Sequence, residues 1–401
     1  MNILFLTLGE FNSIHERGIY TDLMRQFIKS GHHVSIVCPK ERRRGVETYL
    51  TKEASYRILN VKTLNIQKTN IIEKGLGILA IEHQYLNAIT KYLSDIRFDL
   101  VLYTTPPITL GRVIRAIKHR DGAHSYLLLK DIFPQNAVDI GLMKENGLFH
   151  RFFRRKEKKL YELSDYIGCL SPANVDYLLH HNPTIDRAKV EVCPNSIEPV
   201  EYQKVSDEEK KVLRAKYKIP EKATIFIYGG NLGKPQGLGF MLEVLTANRH
   251  KADRFFIIVG TGTERKKLED WFETNRPENA LLLEGLPKDE YDQLVKSCDV
   301  GLIFLDPRFT IPNFPSRLLS YLEYKMPVLI ASDENTDIGR IAFENKFGFY
   351  SLSGDLKKFN QDLDLIASDN ELITEMGENG LRFLEANYKV EQSVEMIMKH
   401  F

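Results

Sequence analysis

Short apolar runs of four to six residues punctuate this chain, most of them closed by glycine or proline, and helical periodicity fills most of the gaps between them. The first run, NILFLTLG, closes on Gly9. Beyond it Ile19, Leu23 and Phe27, with Met24 and Ile28, recur at four-residue spacing on one helical face, and Gly31 ends that helix before HHVSIVCP begins the next run. DLVLYTTPP, SYLLLKDIFP, DYIGCLSP and KVEVCPN continue the series. Runs that do not alternate cleanly suit strands covered on both faces, hence a parallel sheet flanked by helices.

A second series follows a Lys/Glu-rich stretch, VSDEEKKVLRAKYKIPEKA: TIFIYGGN, RFFIIVGTG, NALLLEGLP, DVGLIFLDP and PVLIASD. The expected fold is therefore α/β, with two doubly wound, Rossmann-like domains joined near residues 195–222: an N-terminal domain over 1–200 and a C-terminal domain over 201–384. The final segment, LRFLEANYKVEQSVEMIMKHF, reads as helix with Val394, Ile397, Met398 and Phe401 apolar, and it suits either domain equally well. At 401 residues the chain is long enough for two cores.

In open parallel sheets, ligands bind beyond the carboxyl ends of the strands, so the cleft between two facing domains is the default site. Three loops of the second series carry chemistry. In YGGNLGKPQGLGFMLEVL, glycines including Gly229, Gly230 and Gly237 are interleaved with Asn231, Lys234 and Gln236. Glycines let a backbone approach a phosphate, and Lys234 adds a full charge; a solvated surface loop is the competing reading. In IIVGTGTERKKLEDW, Gly260 and Gly262 form half of a dinucleotide fingerprint, but Arg265 stands where the third glycine falls, which disfavours a dehydrogenase. In NFPSRLLSYLEYKMPVLIAS, Pro315 stops extended structure, Ser316 is placed to cap a helix, and the amides of Arg317 and Leu318 are expected to face a ligand beside the Arg317 cation. A plain cap and a surface ion pair are the alternatives there.

Taken together these loops resemble the donor-binding half of the two-domain nucleotide-sugar glycosyltransferases of the GT-B fold, specifically bacterial glycosyltransferase family 4 and its cell-surface polysaccharide subgroup. SPANVDYLL, CPNSIE, LLLEGLPKDEYDQLVKSCDVGLIFL and the terminal LEANYKVEQSVEMIMKHF extend the resemblance along nearly the whole chain. It implies retaining transfer of a sugar from a nucleotide diphosphate sugar, with a UDP-sugar expected, no essential metal, and a terminal helix of about 385–401 crossing back onto the first domain. The diphosphate gains charge as the glycosidic bond breaks, so cations aimed at it stabilise the transition state more than the ground state. Lys234 and Arg317 are the expected catalytic cations. Gly230, Asn231, Gln236, Gly260, Leu286, Pro315, Ser316, Leu318, Ser320 and Glu323 are the expected donor contacts, with the base near Gly285 and Leu286.

The chain also departs from the family pattern. The usual arginine and lysine of the first loop fall at Asn231 and Gln236, and the two usual glutamates fall at Pro312 and Ser320. Glu323, three residues after Ser320 and so nearly one helical turn along the same side, is the acid placed to reach the donor ribose, with a solvated surface glutamate as the alternative. A D-x-D at Asp362 and Asp364 lies in a polar stretch, not after a buried strand, and reads as a solvated helix face; no metal ligand is expected.

On the first domain, LGEFNSIHERGIYTDL occupies the family's acceptor-side loop, making Gly9, His15, Glu16 and Arg17 acceptor candidates, with helix capping by Glu16 and Arg17 as the alternative. SYLLLKDIFPQNAVDIGL resembles an Asp-x-aromatic-Pro segment, with Asp131 as a candidate for contact with the reacting sugar or acceptor hydroxyl and Lys130 where some members carry histidine. HRFFRRKEKKLYELSDYIG sets six basic residues among aromatics and leucine, which suits an anionic membrane surface or a solvated face.

Charge and cysteine usage narrow the picture further. With 55 basic and 54 acidic residues the formal charge is +1, so no global field points to nucleic acid. Cys38, Cys169, Cys193 and Cys298 are scattered, and three lie in apolar strand-like runs, so reduced core thiols are expected. MNILFLTLGEFN lacks the parts of a signal peptide, and no run reaches the ~18 apolar residues of a membrane span. The expected location is cytoplasmic, peripheral on the inner face of the plasma membrane, with a polyprenyl-diphosphate-linked saccharide as acceptor. A non-catalytic partner subunit and a nucleotide-sugar 2-epimerase are the competing functions.

Overall fold

The computed structural model describes residues 1–66, 71–201 and 205–401. Of the stretch expected to join the domains, 202–204 lie outside the described residues. The chain divides into two compact units, residues 1–198 with 389–401, and residues 199–388.

The first unit contains strands β1 (Asn2–Leu6), β2 (His33–Glu41), β3 (Tyr49–Lys52), β4 (Tyr56–Thr63), β5 (Leu100–Thr104), β6 (His124–Leu129), β7 (Tyr166–Cys169) and β8 (Val190–Val192). They form one sheet in the order β3-β4-β2-β1-β5-β6-β7-β8, parallel except for the β3–β4 pair. Ile3, Leu4, Phe5 and Leu6 of β1 are all fully buried, as a strand covered on both faces requires. The helix Ile19–Lys29 buries Leu23, Met24 and Phe27, the face its spacing predicts.

The terminal helix Val390–Met398 belongs to this unit. Val390, Val394 and Ile397 recur along one face and are buried in the same core as Met24 and Phe27. Burial of each such side chain is worth about 1.5–3 kcal/mol. The Val390 amide donates to the Ile197 carbonyl at 2.9 Å, and His400 stacks on Tyr166 with ring centroids 3.8 Å apart.

The second unit contains β9 (Thr224–Gly229), β10 (Arg254–Val259), β11 (Ala280–Leu283), β12 (Val300–Phe304), β13 (Val328–Ser332) and β14 (Gly348–Leu352), all parallel, in the order β11-β10-β9-β12-β13-β14. The chain first runs outward from β9 through β10 and β11, then returns to lay β12 on the other side of β9. The loops after β9 and β12 therefore diverge at the switch point where open α/β sheets hold their ligands. In the first sheet the same reversal lies between β1 and β5. All four cysteines are buried free thiols.

Candidate functional site

The loop after β9 and the helix Arg317–Glu323, which follows β12, meet through Arg317. Its guanidinium lies over the Tyr228 ring, 4.2 Å from the centroid, and Nη2 donates to Gln236 Oε1 at 2.5 Å. The Tyr228 hydroxyl donates to the Asn231 carbonyl at 2.8 Å and lies 3.2 Å from the same Gln236 oxygen. Gly230 has φ +129°, and a Cβ there would come within 3.3 Å of the guanidinium, so the loop backbone runs close along the arginine. One face of Arg317 is thus stacked and one nitrogen is fixed. Nη1 is buried without a hydrogen-bond partner among the described residues. A buried charged donor left unpaired costs more than about 1–3 kcal/mol, a cost removed when an acceptor arrives. The planar, permanently charged fork suits phosphate oxygens.

Tyrosines that the sequence reading passed over support this corner. The Tyr321 hydroxyl accepts from the Gly229 amide at 3.3 Å and donates to the Ile227 carbonyl at 3.2 Å. Burial pushes its pKa to about 12 and raises that of Tyr228, so both remain neutral hydroxyls. The available signal was positional: Tyr228 is the last large side chain of an apolar run before a glycine pair, where a core residue also borders the site.

The β10 loop braces the β9 loop from the other side. The Leu232 amide donates to Thr261 O and the Glu264 amide to Leu232 O, each at 2.9 Å, while the Gly260 carbonyl accepts from Arg265 Nη1 at 2.5 Å. Arg265, which displaces the third glycine of the fingerprint, also pairs with Glu269 and Glu284, each at 2.9 Å. Gly260 has φ +156°, and a Cβ there would fall 1.9 Å from the Gly230 carbonyl oxygen. Gly260→Ala is expected to destabilise the protein by about 1–3 kcal/mol through overpacking, measured by denaturant unfolding, and to weaken donor binding because the β9 loop must move.

Other expected site residues fall as follows. Lys234 is exposed, at the start of the short helix Lys234–Gln236, and its ammonium has no ionic partner among the described residues. Asn231 is exposed, and Leu286, Pro315 and Ser320 are half-buried. Ser316 occupies the N-cap position, but its side chain makes no capping bond because its backbone is already helical, at φ −63°, ψ −16°. The Leu318 amide, expected to be free, donates to the Pro315 carbonyl at 3.2 Å. The positive character of this loop therefore comes from the Arg317 side chain and not from a row of open amides. Glu323 is not turned outward: it is 2% exposed, and Oε1 accepts from the Val200 amide at 2.9 Å. Its carboxylate anchors the segment that enters the second unit. Of the D-x-D expected on a solvated face, Asp364 is exposed and pairs with Arg254 at 2.7 Å, but Asp362 is turned inward, 4% exposed, and pairs with Lys358.

In the first unit the loop after β1 carries the acceptor candidates. Gly9 donates its amide to Thr7 Oγ1 at 3.0 Å, His15 and Glu16 are exposed, and Arg17 is half-buried. Gly18, not Glu16 or Arg17, takes the N-cap position of helix Ile19–Lys29, and its amide donates to Asp22 Oδ1 at 3.0 Å.

Asp131 follows β6, and the structure ties it to the loop after β5. Its amide lies 3.3 Å from Thr105 Oγ1, whose hydroxyl donates back to the Asp131 carbonyl at 3.0 Å. Asn136 Nδ2 donates to Asp131 Oδ1 at 2.7 Å. Burial raises the carboxyl pKa to about 6, partly offset by the Asn136 bond. Burial also lowers the pKa of Lys130 to about 8, and its ammonium donates to the Cys193 carbonyl at 3.3 Å.

Residues 19–201 match the family model described as Glycosyltransferase Family 4, and residues 209–383 match the one described as Glycosyl transferases group 1. The chain belongs to glycosyltransferase family 4. It is 22% identical to the probable glycosyltransferase WbjE of Pseudomonas aeruginosa over 288 residues, covering 70% of this chain and 69% of that protein. It is also 22% identical to the putative colanic acid biosynthesis glycosyl transferase WcaI of Escherichia coli over 248 residues, 61% of this chain and 60% of that one. The crystal structure of Anabaena Alr3699/HepE in complex with UDP superposes with a TM-score of 0.68, at 14% identity, covering 100% of both chains. This glycosyltransferase accordingly has the GT-B fold.

Proposed function

We propose that this glycosyltransferase moves a sugar, with retention of anomeric configuration, from a nucleotide diphosphate sugar, a UDP-sugar in the first instance, to a lipid-linked saccharide during assembly of a cell-surface polysaccharide. The observation that carries the donor half is the buried, unpartnered Nη1 of the half-buried, stacked Arg317 at the switch point of the second sheet. There the guanidinium neutralises the diphosphate as it leaves, and Lys234, exposed on the adjoining loop, adds a second charge. The UDP bound in the Anabaena HepE structure supports the nucleotide, and the colanic acid role named for the E. coli relative supports the polysaccharide. Retention and the polyprenyl-diphosphate carrier rest on the family resemblance.

The chain's own residues divide the work. Arg317, aimed by Tyr228 and Gln236, and Lys234 stabilise the departing nucleoside diphosphate. Asp131, in its carboxylate form, accepts the hydrogen of the attacking acceptor hydroxyl and orients it. An epimerase needs acid and base groups around the sugar ring. The one histidine within 199–388, His250, lies just before β10, at the amino end of the sheet and away from the donor loops.

Incubation with a panel of UDP-sugars and a polyprenyl-diphosphate saccharide is expected to yield an extended lipid-linked product whose new anomeric centre matches that of the donor by NMR. An inverted product would overturn the retaining assignment. We further propose that no metal takes part. Activity is expected to be unchanged in EDTA, whereas loss restored by manganese would show that a divalent ion shares the load assigned to Arg317 and Lys234.

A further inference from the structure

The helix Leu148–Leu163 shows two faces. His150, Glu157, Leu160 and Tyr161 are buried. Arg154 turns inward with them: it pairs with Glu157 and donates to the His181 carbonyl at 2.9 Å and Asn182 Oδ1 at 2.7 Å. Lys156 also has an internal partner, Glu82, at 3.8 Å. Two of the six cations that made this segment look basic therefore have structural employment.

The outer face differs. Leu148 is 85% exposed and Phe149 76%, at the very start of the helix, and Leu142, in the preceding turn, is 58% exposed. Phe152, one turn on, is 40% exposed. Large apolar side chains left this open on consecutive turns are unusual on a surface that meets only water. Behind this tip Arg151, Arg155, Lys158 and Lys159 are all exposed, against the single exposed acid Glu162 on the same helix. An apolar end followed by long cations matches the interface of an anionic bilayer. Leucine and phenylalanine enter the headgroup boundary, while lysine and arginine lay their stems along it and place their charges on phosphates.

We propose that the Leu142–Lys159 surface docks the protein on an anionic membrane, with Leu142, Leu148 and Phe149 inserted and Arg151, Arg155, Lys158 and Lys159 paired with lipid phosphates. The inference deepens the lipid-linked acceptor reading and rests on it only for its purpose, not for its geometry. Arg154 and Lys156 stay unaltered in the test, because reversing those charges would break their internal contacts.

Flotation of the full chain with phosphatidylcholine vesicles, with and without phosphatidylglycerol, tests it. The protein is expected to float only with the anionic lipid. Leu148→Glu with Phe149→Glu is expected to lower the bound fraction about tenfold or more. Arg155→Glu with Lys158→Glu should do the same at low salt, and the salt dependence of the remaining binding should flatten. Heat of UDP-sugar binding should be unchanged in both double variants, which separates failure of docking from failure of the donor reading and reports that the variants are folded. No flotation of the unaltered protein, or equal flotation of the Leu148/Phe149 variant, would overturn the proposal. So would a dimer in sedimentation that the same variant dissolves, which would assign the patch to a second copy of the chain.

Discussion

Arg317→Ala is expected to lower kcat roughly 10²–10³-fold, the loss seen when one preorganised group is removed from a developing anion. The size of the effect follows from the setting. The guanidinium is stacked on Tyr228 and fixed by Gln236, so little reorganisation accompanies the reaction, and Nη1 has no competing partner among the described residues. Because charge builds on the diphosphate as the bond breaks, kcat should fall by a larger factor than donor affinity. Arg317→Lys keeps the charge but loses the fork and the stacking, and should recover only part of the rate. Gln236→Leu, which removes the oxygen that aims Nη2, should lower kcat with a smaller change in donor KM. Circular dichroism and thermal unfolding verify that each variant is folded. An Arg317→Ala enzyme with undiminished kcat would remove Arg317 from the chemistry.

The second large effect concerns pH. Burial raises the Asp131 carboxyl to about 6, so the carboxylate form, the one able to accept a hydrogen bond from an acceptor hydroxyl, is lost below that pH. The profile of kcat/KM is therefore expected to climb about tenfold per pH unit on the acid side, level off above about 6, and lose that inflection in Asp131→Asn. The substitution itself should cost roughly 10²-fold at neutral pH. Asn136 donates to the carboxylate and favours its charged form, so Asn136→Ala should move the inflection upward. A carboxyl whose folded pKa is raised binds its proton more tightly in the folded state, so its cost to folding is absent below the ordinary value of 3.8, grows as the pH rises from there, and is complete above about 6. Loss of activity on the acid side is thus not explained by unfolding at Asp131, and Asp131→Asn should, if anything, raise thermal stability at neutral pH. A flat profile between pH 5 and 8 would exclude the assignment.

Eleven apolar runs read from the sequence correspond to strands, from NILFLTLG at β1 to PVLIASD at β13. They were legible because a parallel strand with helices on both faces carries apolar side chains in both directions. The three strands not read were β3, β4 and β14. β3 and β14 are the edges of their sheets, and β4, YRILNVKT, has polar residues mixed into its run. β3 has exposed Tyr49, Thr51 and Lys52, and β14 exposes Tyr350 and Leu352, so neither shows a continuous apolar stretch. Edge strands mix polar residues into their runs for the same reason they avoid aggregation.

The candidate site was legible in part. A glycine-rich strand end and a lone arginine after proline marked the two loops, but sequence spacing gave no sign that Gln236 and Arg317, 81 residues apart, hydrogen-bond to each other. That contact gives physical sense to the family's missing lysine: a neutral amide stands at its position and holds a cation supplied from the other loop. Glu323 shows the opposite failure. Helical spacing from Ser320 placed it on a plausible face, yet tertiary packing buried it against the Val200 amide, which a residue-by-residue reading of one helix does not contain. Ser316 likewise has the right chemistry for a cap and the wrong backbone geometry to use it.

Isothermal titration with UDP-, GDP- and dTDP-sugars tests the central claim most directly. The account predicts that one nucleotide class, a UDP-sugar first, binds the unaltered chain without added metal and binds Arg317→Ala more weakly. No heat from any of them would contradict it and leave a GT-B chain that serves as a partner subunit without catalysing transfer.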